Sequence, residues 1–226
     1  MFSEIDREME KDIQAIRDVY SNGERFDEMR AYDDRKLKVW EEEVTGLFPA
    51  NAKILDVGCG KGREAFCLNE KGFRVTGVDI SETAIETARH IAETHRLSID
   101  FCVSNGMDLP FPDSTFNAVI IWAQTFGLFY GENNQRDILN ECKRVLKDGG
   151  ILSFSGHDKL FLQSHFSKYI ENGYFYPFLS DLRYTMFTAE ELSDCAKDAG
   201  FQIISSKRGV VYTEADGPIL HCECRK

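Results

Sequence analysis

The sequence predicts an α/β fold: a doubly wound, mostly parallel sheet with helices on both faces. From Lys53 onward short apolar strands alternate with helical stretches, the order that builds such a sheet. The first strand runs without a break into a glycine-rich turn. The last two apolar runs, at 201–212 and 219–225, are joined only by Thr-Glu-Ala-Asp-Gly-Pro. A connection that short cannot make a parallel crossover, so the two runs pair antiparallel and the sheet carries one reversed strand.

The elements follow in order. Ile5, Met9, Ile13, Ile16 and Val19 recur at helical steps, and Leu37, Trp40, Val44 and Leu47 do the same after a loop. Residues 1–50 therefore read as helices that pack on the remainder of the chain. Strands are expected at 54–57, 74–79, 99–103, 118–122 and 151–155, and helices over 62–71, 82–95 and 134–147. Ser81 is a good N-cap for the second helix. Ile138, Leu139, Cys142, Val145 and Leu146 line one face of the third, which Gly149-Gly150 is expected to end. Thr188-Ala-Glu-Glu191 has the form of a capping box and opens a last helix that Gly200 closes. Between the fifth strand and that helix, residues 157–187 hold nine of the chain's 27 aromatic side chains, where a loop or small lid would sit.

A chain of 226 residues with 42% apolar side chains is long enough to bury a sizeable core as one domain with a small cap. Acidic residues number 38 and basic ones 27, giving a net charge of −11 and a pI near 5.0. Such a surface repels phosphate backbones, which counts against a nucleic-acid or anionic-membrane role. The acidic, amphipathic start has neither a basic segment nor an apolar one, so no secretory signal is expected. No apolar run is long enough to span a bilayer. Seven cysteines without a regular framework suit reduced thiols. These features predict a soluble, cytoplasmic protein.

The chemistry is concentrated in Ile54-Leu-Asp-Val-Gly-Cys-Gly-Lys-Gly-Arg63. Glycines there let the backbone approach a ligand, and the helix after them offers unsatisfied N–H groups. Asp79 ends the second strand 21 residues after Gly58, placed to accept both ribose hydroxyls of a nucleoside-type cofactor. The dinucleotide pattern G-x-G-x-x-G would need glycine at position 63, which is arginine. A pyrophosphate would also face Asp56, whereas a cationic cofactor would welcome that carboxylate. The pattern selects a nucleoside without the phosphates.

With Asp56-Val-Gly-Cys-Gly-Lys-Gly62, Val78-Asp79, Asp108-Leu-Pro-Phe-Pro-Asp-Ser-Thr-Phe116 and Glu141-Cys-Lys-Arg-Val-Leu-Lys-Asp-Gly-Gly150 in sequence, the chain resembles the class I S-adenosylmethionine-dependent methyltransferases. The likeness covers about residues 52–205, and Phe187-Thr-Ala-Glu-Glu-Leu192 through Phe201 is similar to the family's closing helix and strand. It implies a Rossmann-like seven-stranded sheet with an antiparallel last strand, and S-adenosyl-L-methionine as cofactor. By position, Asp56, Gly58, Gly60 and Gly62 would lie under the methionine part, Asp79 would hold the ribose and Ile80 would pack on the adenine. Asn105-Gly106 stands where the family usually has Asp-Ala, and the amide carbonyl can accept the same bond from the adenine amine. Phe116-Asn117 stands for the family's Phe-Asp, where the acid is normally structural. Trp122 and Gln124 sit where the family places residues between cofactor and acceptor.

The resemblance divides the chain into an N-terminal helical cap, residues 1–50, and a cofactor-binding domain, residues 51–226, with the aromatic lid at 157–187. Tyr20, Tyr32 and Arg35 are expected over the methionine end. His157, directly after the fifth strand, is the candidate general base. Cys222 and Cys224 share a strand face with Leu220 and read as core thiols rather than metal ligands, with His221 turned away. The resulting expectation is methyl transfer to a nitrogen or oxygen of a small molecule. A protein or RNA acceptor, or a non-catalytic cofactor-binding module, are the other readings.

Overall fold

The computed structural model describes residues 4–21, 26–27, 35–177, 182–213 and 217–226. Helix α1 (Glu4–Ser21) and the short α2 (Val39–Thr45) precede the sheet. Then come β1 (Lys53–Val57), α3 (Arg63–Glu70), β2 (Arg74–Asp79), α4 (Glu82–His95), β3 (Asp100–Val103) and β4 (Phe116–Ile121). Helix α5 (Gly131–Val145) leads into the long β5 (Leu146–Asp158). Beyond it lie α6 (Lys159–His165), the two-residue strands β6 (Ile170–Glu171) and β7 (Tyr174–Phe175), and β8 (Tyr184–Phe187). Helix α7 (Ala189–Asp198) and strands β9 (Gln202–Val210) and β10 (Pro218–Arg225) finish the chain.

Strands β3, β2, β1, β4 and β5 lie side by side in parallel, in that order. β10 inserts antiparallel between β5 and β9, with Cys222 opposite Phe154 and Ser206. Among these seven strands β10 alone is reversed, as the terminal connection predicts. The order reverses at β1, and the carboxyl ends of the strands there open the crevice where ligands of such sheets bind.

Alternation along each strand builds a core on each face. Leu55 and Val57 of β1 join Ile138, Leu139, Cys142 and Val145 of α5, with Leu220, Cys222 and Cys224. Ile54 faces the other way, into Trp40, Phe66, Ile85 and Trp122. The two cysteines of β10 are thus packed thiols, while His221 stacks on Trp40 with ring centroids 4.7 Å apart.

The helix signals act as their chemistry dictates. The Ser81 side chain accepts from Ala84 N–H at 3.1 Å. Thr188 and Glu191 exchange both bonds of the capping box. α5 stops at Val145, earlier than Gly149-Gly150, because Leu146 already pairs with Phe116 of β4 and Gly149 and Gly150 bond to Lys226. Asn117 Oδ1 accepts the Lys53 N–H at 3.0 Å, so the carboxamide makes a structural bond at the position of the family's acid. Arg144 grips the carbonyls of Leu109 and Phe111, which shows why Glu141–Arg144 and the Leu-Pro-Phe stretch occur together.

The aromatic segment is more firmly built than a free lid. β8 pairs parallel with the end of β5 at His157 and Asp158, and β7 and β6 add to it as a small hairpin. Leu162, Phe175 and Met186 form a satellite core beneath it. Tyr174, within the segment read as a lid, is half-buried against the Arg183 guanidinium, 4.9 Å from its ring centroid. Among the described residues no helix is long and apolar enough to cross a membrane.

Candidate active site

One cavity of about 590 Å³ lies over the carboxyl ends of β1, β2, β3 and β4. Its floor is Gly58, Cys59 and Gly60. The Gly58 and Cys59 N–H groups both donate to Val78 O, at 2.8 and 3.0 Å, so the turn is tied to β2. Gly58 takes φ +77°, and a Cβ there would fall inside the Thr125 side chain. Gly62 takes φ +90° as the residue before α3, and a Cβ would meet Phe66 at 2.9 Å and Phe101 at 3.1 Å. Both glycines are required by the positive φ and by the crowding.

Asp79 reaches the floor from the end of β2. Its Oδ2 accepts from Gly60 N–H at 2.8 Å and its Oδ1 from Ser81 N–H at 2.9 Å. Burial pushes its carboxyl above the ordinary value, against the pull of those donors. Each oxygen retains a lone pair, the acceptor pair a ribose needs. Ile80, Asn105 and Gly106 line the cavity beside it. Asn105 Oδ1 accepts from Met107 N–H at 3.0 Å, which closes a local turn as well as facing the cavity.

Beneath the turn, Asp56 is buried on the Ile54 face, and one of its oxygens has no hydrogen-bond partner. Burial, then the neighbouring Glu64, hold its carboxyl well above the usual carboxylate range. Glu64 and Glu41 sandwich Arg63, whose guanidinium meets Glu41 at 2.8 and 2.9 Å and also pairs with Glu64. The glycine cradle, which a Cβ at Gly58 would fill, and the paired acceptors of Asp79 fit S-adenosylmethionine.

The far wall comes from long-range neighbours. Asp12, Ile13, Ile16 and Tyr20 of α1 face Leu128, Phe129 and Tyr130 across the cavity. Asp12 pairs with Arg183 at 3.2 Å, Tyr20 bonds to Tyr184, and Ser21 Oγ lies 3.1 Å from Ser81 Oγ, so α1 is tethered across the opening. Arg35, expected here, instead pairs with Glu70. Tyr32 lies outside the described residues. The residues that sequence reasoning missed, Asp12, Lys38, Tyr130, Asn134 and Tyr212 among them, have no local signal: only folding brings them to the cavity.

Four expected site residues do not line the cavity: Asp56 and Gly62, placed by the resemblance under the methionine part, and Trp122 and His157. Trp122 is 1% exposed and does not reach the cavity; its Nε1 donates to Ser153 Oγ at 2.8 Å and its ring packs edge-on to Trp40. An indole fills a core and still satisfies its N–H there. Its carbonyl accepts from Thr125 N–H, so it supports the Ala123-Gln124-Thr125 turn that does line the cavity. His157 lies behind the wall, its ring edge-on to Phe175 and Tyr184, and does not line the cavity. Burial, then the charge of Lys38, push its pKa down to about 4 from 6.5.

The depressed value has a measurable consequence. The folded protein binds fewer protons at His157 than the unfolded chain between pH 6.5 and about 4. The neutral ring therefore contributes stability that is fully present above pH 6.5 and drains away as the pH falls toward 4. Urea midpoints of the wild type should drop over this window, and His157→Gln should flatten the drop. Parallel pH profiles for the two proteins would contradict the assignment.

The sequence comparisons agree with this geometry. A methyltransferase-domain family model matches residues 54–150. A demethylmenaquinone methyltransferase of Tropheryma whipplei is 30% identical over 174 residues, 70% of each chain. A protein of Geobacillus sp. named as a methyltransferase is 31% identical over 140 residues, and the matched region spans 62% of this chain and 54% of the relative's length. The solved S-adenosylmethionine-dependent methyltransferase of Methanosarcina mazei is 26% identical and superposes with a TM-score of 0.71, covering 81% of this chain and 96% of its own. With the reversed strand, the glycine turn and Asp79 at the end of β2 already in place, the chain belongs to the class I S-adenosylmethionine-dependent methyltransferases.

Proposed function

We propose that the protein transfers a methyl group from S-adenosylmethionine to a nitrogen or oxygen of a small molecule. The observation that carries this reading is the cavity itself. Its glycine floor continues, without a break, into an apolar and aromatic half formed by Ile13, Ile16, Tyr20, Leu128, Phe129 and Tyr130. Small-molecule sites have this character, apolar walls with a few polar groups, here Asp12, Gln124 and Asn134. The net charge of −11 supports it against an RNA acceptor. The Tropheryma relative is named for demethylmenaquinone, also a small molecule.

When bound, the cofactor supplies a methyl group already activated on sulfur. The chain's residues therefore have to hold the acceptor in line and exclude water, which is catalysis by proximity and orientation. No histidine is among the described residues that line the cavity, and Asp12 there is paired with Arg183. The site suits an acceptor that arrives with its lone pair exposed: a neutral amine, or a hydroxyl acidic enough to ionise in water. Turnover is tested by incubating the protein with labelled S-adenosylmethionine and a panel of small amines, phenols and acids. S-adenosylhomocysteine release with a phenol or amine is the expected result. Transfer only to protein or RNA would move the acceptor to the second reading, and binding without transfer to any acceptor would leave a cofactor-binding module.

A further inference from the structure

Lys38 is a buried cation to which methyl transfer itself assigns no role. Its side chain is only 12% exposed and it lines the cavity. A lysine held out of water needs an anion, yet its neighbour Glu41, at 3.3 Å, is already bidentate to Arg63. The terminal nitrogens of Arg63 are fully used: Nη1 donates to Lys36 O and Glu41, and Nη2 to Glu41 and Glu64. An ammonium carries three donors, so Lys38 has N–H groups beyond the one directed to Glu41.

The position of Lys38 is fixed by folding. Its own backbone N–H donates to Glu41 Oε2 at 2.8 Å, Val39 N–H donates to Val211 O at 2.8 Å, and Trp40 is buried in the core. The cavity runs along the strand ends from Asn105 after β3, past Asp79 after β2, to the glycine turn after β1. Lys38 lies with Arg63, Glu64 and Tyr212, on the wall that α2, α3 and the end of the β9 hairpin supply. If Asp79 fixes the ribose, the nucleoside's amino-acid tail extends over the glycine turn toward these charges. Lys38 and Arg63 balance Glu41 and Glu64, and a zwitterionic tail adds no net charge to that set.

We propose that Lys38 is the residue that recognises the α-carboxylate of the cofactor's amino-acid tail, and so makes the site prefer the complete cofactor to the tail-less nucleoside. The inference rests on the S-adenosylmethionine reading. It is tested by calorimetry with S-adenosylhomocysteine, its carboxyl methyl ester and 5′-methylthioadenosine, which lacks the amino-acid part. The wild type should bind the ester about tenfold or more weaker than the acid, the loss of one charge-assisted contact. Lys38→Met should lower the affinity for the acid by a similar factor, bind acid and ester equally and leave methylthioadenosine binding unchanged; Lys38→Arg should restore part of the preference.

Equal loss of all three ligands in Lys38→Met would make Lys38 a support of the turn alone and overturn the proposal. So would a wild type that binds acid and ester alike, a comparison that needs no variant to fold. Failure of the wild type to bind any of the three would instead defeat the cofactor reading beneath it.

Discussion

Asp79→Ala is expected to weaken S-adenosylhomocysteine binding by about tenfold or more, the value of a hydrogen-bonded charged acceptor, about 1.5–3 kcal/mol. The carboxylate has two tasks in the structure. It would accept the ribose hydroxyls, and it already accepts from Gly60 N–H and Ser81 N–H, which ties the glycine floor to the end of β2. The two are separable by experiment. Asp79→Asn keeps one acceptor oxygen but presents an NH₂ in place of the other, against a backbone donor or a hydroxyl. It should therefore bind the cofactor weakly too, with a smaller loss of unliganded thermal stability than Asp79→Ala. A folded Asp79→Ala with unchanged calorimetric affinity would place the ribose elsewhere in the cavity.

Gly58→Ala should be the more damaging change to the protein itself. The added Cβ would lie inside the Thr125 side chain, 2.9 Å from its Oγ1, at a φ of +77° that L side chains avoid. The turn cannot swing clear, because Gly58 and Cys59 both bond to Val78 O. Overpacking and left-handed strain together predict a loss of about 2–4 kcal/mol. In a chain of this size that corresponds to a fall in melting temperature of roughly 5–15 °C. Cofactor affinity should fall with it, since the floor is displaced. Adding Thr125→Ala should recover part of the stability by relieving the contact, and none of the φ strain. Unchanged melting and affinity in Gly58→Ala would show that the turn has room the geometry denies.

The aromatic segment shows how a local reading can be right about composition and incomplete about construction. Nine aromatics in residues 157–187 marked the segment as special. Folding uses part of them as a satellite core around Leu162, Phe175 and Met186, and fixes the segment to β5 through β8. Among the described residues none from 157–187 lines the cavity; the segment acts on it through Arg183 and Tyr184, which hold Asp12 and Tyr20 of α1. Trp122 shows the same limit. Its place after β4 suggested the cavity, but the strand's alternation turns the indole toward Trp40 and Ser153.

What the sequence determined by itself is whatever depends on neighbours a few residues apart. The alternation of strand and helix, the Ser81 cap, the Thr188 capping box, the glycine turn after β1 and the antiparallel end of the sheet all arise from backbone conformation, short-range hydrogen bonds and connection length. Asp79 was legible because its place at the end of a strand fixes it relative to the turn. The tertiary structure alone decided what requires chain closure over tens of residues or more. It brought α1 over the opening, joined Lys38 and Glu41 to Arg63 beneath it, and put His157 behind Tyr184 instead of in the cavity. Sequence spacing carries no record of such contacts. They are set by which faces of distant elements bury each other, and a side chain's periodicity shows only that it is turned inward, not what it meets there.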